Sequence, residues 1–132
     1  MEISTILDVL EKIETRLNSY WNFYTIVIVA VCGWLVSHIA EPAEDLNPDI
    51  AHFLAFGCIL FFFMNLTVIR AATIRLLSFE NALIQLVEDS QHLTPQIRDY
   101  LSKPQLKMRL AFTYITHITM DTAVIIFIYW AL

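Results

Sequence analysis

The chain has 132 residues, of which 58% are hydrophobic, 16% are charged and only two are glycine. A soluble domain is usually about half apolar and about a quarter charged, so this composition indicates an integral membrane protein. The net charge of −5, with no cluster of Lys and Arg among exposed aromatic residues, excludes a nucleic-acid-binding surface.

The first predicted element is an amphipathic helix over residues 1–19 that continues into a membrane span at 21–40. Its apolar residues recur at intervals of three and four, which places them along one seam of a helix. The seam residues are Ile3, Ile6 or Leu7, Leu10, Ile13, Leu17, Tyr20 and Tyr24. Because the polar face of this helix is acidic, we expect the seam to pack against another helix rather than to lie on an anionic membrane surface.

Aromatic residues crowd the inner end of this first span and the outer end of the last one. Such positions are typical of the aromatic belts that lie at the two surfaces of a bilayer. We interpret these residues as depth markers, and they are Tyr20, Trp21, Phe23, Tyr24, Tyr129 and Trp130.

The second span covers residues 50–70 and follows a predicted outer loop at 41–49. Beyond Arg70 the apolar pattern continues over residues 71–93, so this span also extends out of the membrane as an amphipathic helix. Two spans that continue on the same side predict a helical hairpin projecting about 30 Å, with its seams buried together or against other copies. The outer loop carries acids that would concentrate cations at a pore mouth, or that simply face solvent. They are Glu41, Glu44, Asp45 and Asp49.

A connector at 94–105, in which Thr94 and Pro95 begin a short helix, leads to the third span at 109–130. Asp121 lies in the middle of this span, and His117 precedes it by one turn on the same face. A carboxylate at membrane depth indicates an ion or proton site. The alternative is a hydrogen bond that only fixes the helix register. The residues predicted to share the site with Asp121, or to bond it, are His117, Thr113, Thr116, Asn65 and Thr67.

All eight basic residues lie on one side of the three spans. They are Lys12, Arg16, Arg70, Arg75, Arg98, Lys103, Lys107 and Arg109. Short loops that carry Lys and Arg remain cytoplasmic, so we predict a cytoplasmic N-terminus and an outer C-terminus, in the bacterial inner (plasma) membrane. We do not expect the first span to be a cleaved signal peptide, because more acids than bases precede it.

Two small-residue pairs lie at similar depths in the first two spans. Gly33 and Gly57 predict close packing of these helices. Cys32 and Cys58 adjoin them and are interpreted as small apolar residues at the same crossing rather than as a disulfide. Together with the polar pair of the third span, these thiols are of types that bind zinc or copper, but no closely spaced ligand pair is present. We therefore predict no metal and no cofactor.

The three-span plan with an amphipathic cytoplasmic N-terminus resembles that of bacterial diacylglycerol kinase, which works as a trimer. The resemblance is one of topology. Glu80-Asn81 and Glu88-Asp89 follow the second span roughly where that family has metal-binding acids, but the surrounding residues do not reproduce its motifs. The sequence also has no Gly-rich phosphate loop. We predict that these acids form the solvated face of their helix and that the protein has no catalytic residues.

The sequence thus predicts an all-α integral membrane protein with three transmembrane helices, assembled as a homo-oligomer. Our leading hypothesis is a small channel or pore for cations or protons, in one form a membrane-permeabilising effector. One alternative is a structural or accessory subunit that binds a partner protein through its amphipathic cytoplasmic helices. The other is a lipid-modifying enzyme acting through Glu80, Glu88 and Asp89. The predicted partners are the lipid bilayer and further copies of the chain.

Overall fold

Every regular element in the described part of the computed structural model is an α-helix. The described residues are 3–40, 49–90, 92–104 and 106–132. The helices are α1 (Ile3–Ala40), α2 (Asp49–Asp89), α3 (Pro95–Leu101) and α4 (Lys107–Ala131). Three of them, α1, α2 and α4, are long and apolar enough to cross a membrane. The prediction of an all-helical chain with three helices of membrane-spanning length is confirmed.

Two of the helices continue well beyond the length that a bilayer requires. The 38 residues of α1 and the 41 residues of α2 correspond to about 57 and 61 Å of helix, against a hydrocarbon core of about 30 Å. Neither helix contains a proline, and the two glycines lie inside the apolar halves, so nothing in the sequence interrupts either helix where it extends.

The seams of α1 and α2 pack against each other within one chain. Along α1 the buried side chains recur at helical intervals, and they are Ile6, Leu17, Tyr24, Ile28 and Leu35. Their partners in α2 include Ile69, Leu76, Leu83 and Val87. Leu7 and Tyr20, which the periodicity also places on or beside the α1 seam, are instead 41% and 36% exposed. Apolar side chains of the two seams therefore form most of the contact that holds the antiparallel hairpin together.

Two buried polar residues of α2 lie within this contact and are not found by hydrophobic periodicity. The hydroxyl of Thr73 donates to the backbone oxygen of Ile69 at 2.8 Å. Glu80 is 7% exposed, and its carboxylate accepts the backbone N–H of Leu106 at 3.2 Å. The prediction that Glu80 faces solvent is wrong, because an N–H at the start of a helix has no partner inside that helix and favours an acidic acceptor.

The chain folds back along the tip of the hairpin before α4 begins. α3 starts at Pro95, directly after Thr94 at the N-cap position. Two apolar residues pack on the hairpin and cover Ile6, Leu83 and Val87; they are Leu93, which precedes α3, and Leu101, its last residue. Arg98 also donates from Nη2 to the backbone oxygen of Ser90 at 2.5 Å. We call this part of the molecule the extension, namely residues 3–13, 81–89 and α3.

The first turn of α4 is fixed beside the hairpin by an ion pair. Arg109 Nη1 lies 2.6 Å from Glu14 Oε1. From there α4 runs along both long helices, and near its other end the Tyr129 hydroxyl lies 3.1 Å from Nδ1 of His52. Glu14, the partner of Arg109, precedes the predicted start of the first span at residue 21 by seven residues, or about 10 Å of helix. α4 therefore begins beside a part of α1 that lies before the predicted span. The rest of the molecule is a three-helix region.

The two glycines take no part in the packing between α1 and α2. A Cβ placed on Gly33 or Gly57 would meet no atom within 4 Å, and both residues are exposed. Small side chains of α2 pack in the core of this region instead, namely Ala51, Ala55 and Cys58. The prediction that the glycines bring these two helices together is wrong for the packing within one chain, because the buried seam of each helix passes along a different face.

Candidate functional site

One face of α4 carries a polar stripe. Arg109, Thr113, His117 and Asp121 follow one another at intervals of four residues, which aligns them over about 18 Å of helix. Thr113 and His117 are 3% and 0% exposed, while Arg109 and Asp121 are half-buried. The polar stripe therefore faces α1 and α2 over most of its length rather than the surrounding lipid.

Asp121 is hydrogen-bonded to α1. The hydroxyl of Tyr24 donates to Oδ1 of Asp121 at 2.6 Å, and Tyr24 is 2% exposed. The other carboxylate oxygen, Oδ2, lies 3.6 Å from Nδ1 of His117, which is longer than a hydrogen bond. Oδ1 of the carboxylate thus has a close hydrogen-bond partner. Oδ2 lies near an imidazole nitrogen but is not hydrogen-bonded to it.

The imidazole of His117 is completely enclosed. The rings of Trp21 and Tyr24 lie against it, with centroid distances of 4.9 and 4.3 Å. In the described part of the chain, neither of its ring nitrogens has a hydrogen-bond partner. Buried polar groups nearly always have a partner, since leaving one without a partner costs about 1 to 3 kcal/mol. His117 therefore has capacity to exchange a proton or to bond a water molecule.

Asn65 of α2 is a second buried polar residue with a nitrogen that lacks a hydrogen-bond partner among the described residues. It is 8% exposed, and its Nδ2 has no hydrogen-bond partner among the described residues. Phe62, three residues earlier, contacts the ring of Tyr24 at a centroid distance of 5.9 Å. Asn65 lies one turn nearer the extension than Phe62, as His117 does relative to Asp121. Two buried groups with unused hydrogen-bonding capacity thus lie at one depth, on different helices.

The polar stripe reaches the surface of the bundle at Asp121. A groove of about 390 Å³ runs between α2 and α4, and we call it the lateral groove. Its lining residues are Ile59, Phe62, Phe63, Leu66, Asp121, Thr122, Ile125 and Ile126. The side chain of Asp121 is 21% exposed and is the one charged group in an otherwise almost apolar lining. The carboxylate is therefore accessible from the face that lipid or another protein would cover.

Beyond Asp121 the contact between the helices becomes apolar. Val124 and Ile128 of α4 pack with Ile28 and Leu35 of α1 and with Ala55 of α2. Within one chain, the polar route along α4 thus ends at the level of Asp121. From that level, the lateral groove is the way out to the surface.

The structure brings some of the predicted site residues together and separates others. Thr113, His117 and Asn65 are all buried. His117 and Asn65 lie about one turn from the level of Asp121, and Thr113 lies about two turns from it. Thr116 and Thr67 are exposed, and the hydroxyl of Thr67 donates to the backbone oxygen of Phe63. Of the predicted acidic mouth, only Asp49 is described, as the exposed first residue of α2. The others, Glu41, Glu44 and Asp45, lie outside the described residues.

Sequence reasoning missed Tyr24 as the partner of Asp121. Its interpretation as part of an aromatic belt at the membrane surface is wrong, because the side chain is buried among three helices. Trp21 is also half-buried, against His117, whereas Phe23 is 57% exposed. A signal was present, since Tyr24 lies on the α1 seam seven residues after Leu17. A tyrosine on a buried seam requires a hydrogen-bond partner for its hydroxyl.

Metal ligands do not gather in the described chain. Cys32 and Cys58 are both free thiols. No group of three His, Cys, Asp or Glu side chains lies close enough to hold a metal ion within residues 3–40, 49–90, 92–104 and 106–132. Glu88 and Asp89 are exposed near the end of α2, whereas Glu80 is buried against the start of α4.

No family model, curated protein or solved structure matches this chain. The chemistry of the site must therefore be inferred from its own residues. These combine an acid, a base and a phenol at a depth where each is costly to bury.

Proposed function

We propose that this protein is a small homo-oligomeric membrane channel that conducts protons through Asp121, His117 and Tyr24 of each subunit. The observation that carries the proposal is the fully buried imidazole of His117. Neither of its nitrogens has a hydrogen-bond partner among the described residues, and Nδ1 lies 3.6 Å from the carboxylate of Asp121. A carboxylate that served only to fix helix register would need no such neighbour. Pairs of ionisable groups at membrane depth are the usual components of proton relays.

The packing around the site favours protons over larger cations. The imidazole is fully buried, and two aromatic rings lie against it. Among the described residues, a hydrated metal cation therefore has no room beside the ring. A displacement of less than about 1 Å would bring Nδ1 of His117 within hydrogen-bond distance of Asp121. One buried water molecule could also join His117 to Asn65 at the same level. The first contact gives a proton a path between His117 and Asp121, and the second holds a water molecule beside the imidazole. Neither requires a wide pore.

The proposed route has an inner half within each subunit. From the extension side it passes Thr113 and His117 to Asp121, where the lateral groove opens. After Asp121, the side chains by which α4 packs on α1 and α2 are apolar. The outer half of the route therefore lies between neighbouring subunits, with a second copy packed on the lateral groove. This arrangement is the reason that we propose a homo-oligomer. The predicted orientation places the inner half on the cytoplasmic side.

Proton flux in liposomes tests the proposal directly. Protein is reconstituted with a pH-sensitive dye inside the vesicles, and a potassium diffusion potential drives proton entry. We expect flux in wild-type vesicles and background flux in Asp121→Asn, which keeps the shape of the side chain but cannot ionise. Thr119→Val is the matched control, since Thr119 is an exposed residue of α4 that does not line the groove. It is expected to conduct like wild type.

Two results would contradict the proposal. One is wild-type flux in Asp121→Asn that elutes and unfolds like the parent protein, because the carboxylate would then be dispensable. The other is background flux in both wild type and Thr119→Val when each is a monodisperse, helical protein in the vesicles.

A structural or accessory subunit is the second candidate. It is favoured by apolar side chains that the extension leaves uncovered, namely Leu7, Ile97 and Tyr100, which are 41%, 47% and 65% exposed. A partner helix would bury them. In this case the polar stripe would serve only to hold the helices together. Purification as a monodisperse homo-oligomer that conducts protons without any other protein would exclude this candidate.

A further inference from the structure

A second groove lies between α1 and α2, on a side that no α4 residue lines. Its volume is about 310 Å³, and we call it the basic groove. Its lining residues are Ile13, Arg16, Tyr20, Thr67, Val68, Ala71, Ala72 and Arg75. Each helix thus contributes one arginine and part of an apolar floor. No acidic residue belongs to the lining.

The two arginines of this groove are exposed and unneutralised. Arg16 and Arg75 form no ion pair within 4.0 Å in the described part of the chain. Arg109, at a similar level of the bundle, is by contrast paired with Glu14 at 2.6 Å. The basic groove therefore holds two positive charges about one pocket, and their planar guanidinium groups are suited to the oxygens of a phosphate.

The basic groove lies at the edge of the apolar part of the helices. Tyr20 and Thr67 line the end of the groove that leads into the spans, and Arg16 lies one turn further out along α1. Lipid phosphates occupy this level in a bilayer, and tyrosine is typical of it. The hydrocarbon chain of the same lipid would lie toward the spans, against apolar residues such as Val68.

We propose that the basic groove is a binding site for an anionic phospholipid of the leaflet that surrounds this end of the bundle. Arg16 and Arg75 bind the headgroup phosphate from opposite sides, and the Tyr20 hydroxyl donates to it. The acyl chains cover Val68, Ala71 and Ala72. Basic pockets between membrane helices recognise anionic headgroups in this way. The site is separate from the proton route and does not depend on it.

The occupant is a lipid rather than a soluble phosphate because half of the lining is apolar. A free phosphate ion would bind the arginines but would leave Val68, Ala71 and Ala72 without cover. A lipid satisfies both parts of the groove at once. Bound there, it would also join α1 to α2 where the hairpin leaves the bilayer.

Lipid retention by the full chain tests this proposal. The purified protein is placed in bilayer nanodiscs of phosphatidylcholine with and without phosphatidylglycerol, extracted gently, and examined by native mass spectrometry for bound lipid. We expect retained phosphatidylglycerol on wild type and a loss of roughly thirtyfold in affinity for the double variant Arg16→Gln/Arg75→Gln, or about fivefold for each arginine.

Matched controls separate this site from general attraction to an anionic surface. Arg70→Gln removes the same charge from an exposed position of α2 at the membrane edge that does not line the groove. Lys12→Gln does the same on α1. Both are expected to retain phosphatidylglycerol like wild type. Equal losses in these controls and in the groove variants would overturn the proposal, since diffuse electrostatic attraction would then explain the binding.

A second experiment distinguishes binding of the whole lipid from binding of phosphate alone. Inorganic phosphate is added to protein in phosphatidylcholine, and thermal unfolding is followed by circular dichroism. We expect phosphatidylglycerol to raise the unfolding temperature of wild type but not of the double variant, and inorganic phosphate to raise neither. Equal stabilisation by phosphate alone would contradict a lipid site. Capture of an acidic protein segment by the groove in place of lipid would contradict it as well.

Discussion

Two sets of polar contacts join α4 to the hairpin, and they differ in how completely they are satisfied. At the start of α4, Arg109 is paired with Glu14 and the N–H of Leu106 is bonded to Glu80. Three turns further along α4, the Tyr24 hydroxyl bonds one oxygen of Asp121, but His117 has no partner among the described residues. The first set, which we call the anchor, uses its polar groups to position a helix. The second set keeps unused proton-donating and proton-accepting capacity where burial is most costly. Polar groups that served only to position α4 would not need this capacity, which supports the role proposed for His117 and Asp121.

The largest effect is expected when the imidazole of His117 is replaced by an apolar side chain. His117→Leu replaces a buried imidazole by a side chain of similar volume. We expect proton flux in liposomes to fall to background, while the free energy of unfolding stays within about 1 kcal/mol of wild type or rises, because no hydrogen bond is lost. Unfolding is measured by titration with a denaturing detergent. A strongly destabilised variant would show that His117 is a structural residue after all.

The opposite behaviour is expected at the anchor. Glu80→Ala leaves the N–H of Leu106 without its acceptor, which costs about 1 to 3 kcal/mol in the same unfolding titration. Flux per folded protein is expected to be unchanged. Glu88→Ala is the matched control on the same helix, since Glu88 is exposed and surface substitutions change stability by about 0.5 kcal/mol or less. Loss of flux in folded Glu80→Ala would join the anchor to the conduction route.

An intermediate result is expected for Tyr24, which contacts His117 and donates a hydrogen bond to Asp121. Tyr24→Phe keeps the ring contacts with His117 and removes the hydroxyl. We expect a loss of about 1 kcal/mol, as is typical of hydrogen bonds between membrane helices, together with a reduced but measurable proton flux. Phe23→Leu, at an exposed neighbouring position, is the control. Unchanged flux and stability would show that the hydroxyl of Tyr24 has no role.

The smallest effect is expected at the ion pair of the anchor. The side chains of Arg109 and Glu14 are 30% and 46% exposed, so water and salt screen their attraction. Glu14→Gln is expected to cost at most about 1 kcal/mol and to leave flux unchanged. Wild type and variant are expected to become equally stable at high salt, which screens an exposed pair. A larger and salt-independent loss would mean that the pair is more deeply buried in lipid than its exposure indicates.

Local pattern was sufficient where one helix face determines the outcome. The continuity of α1 and α2 followed from the lack of breakers, and the seam along α1 followed from its three-and-four spacing. The same spacing argument placed His117 and Asp121 on one face. The positions of Glu80 and of the two glycines were predicted wrongly, because the partner helices determine which face of each helix is buried. A charged residue is assigned to solvent by periodicity even when a neighbouring helix end supplies its hydrogen bond.

The amino-acid sequence alone was enough to predict that the chain is helical and that three of its helices have the length and hydrophobicity to cross a membrane. It also identified the intramembrane acid as the residue that needs an explanation. These properties follow from composition and from the 3.6-residue period of each helix taken alone. Only the tertiary structure decided that Tyr24 bonds that acid, that His117 is enclosed without a partner and that Glu80 caps α4. Contacts between helices depend on their relative rotation and stagger, which no single helix encodes.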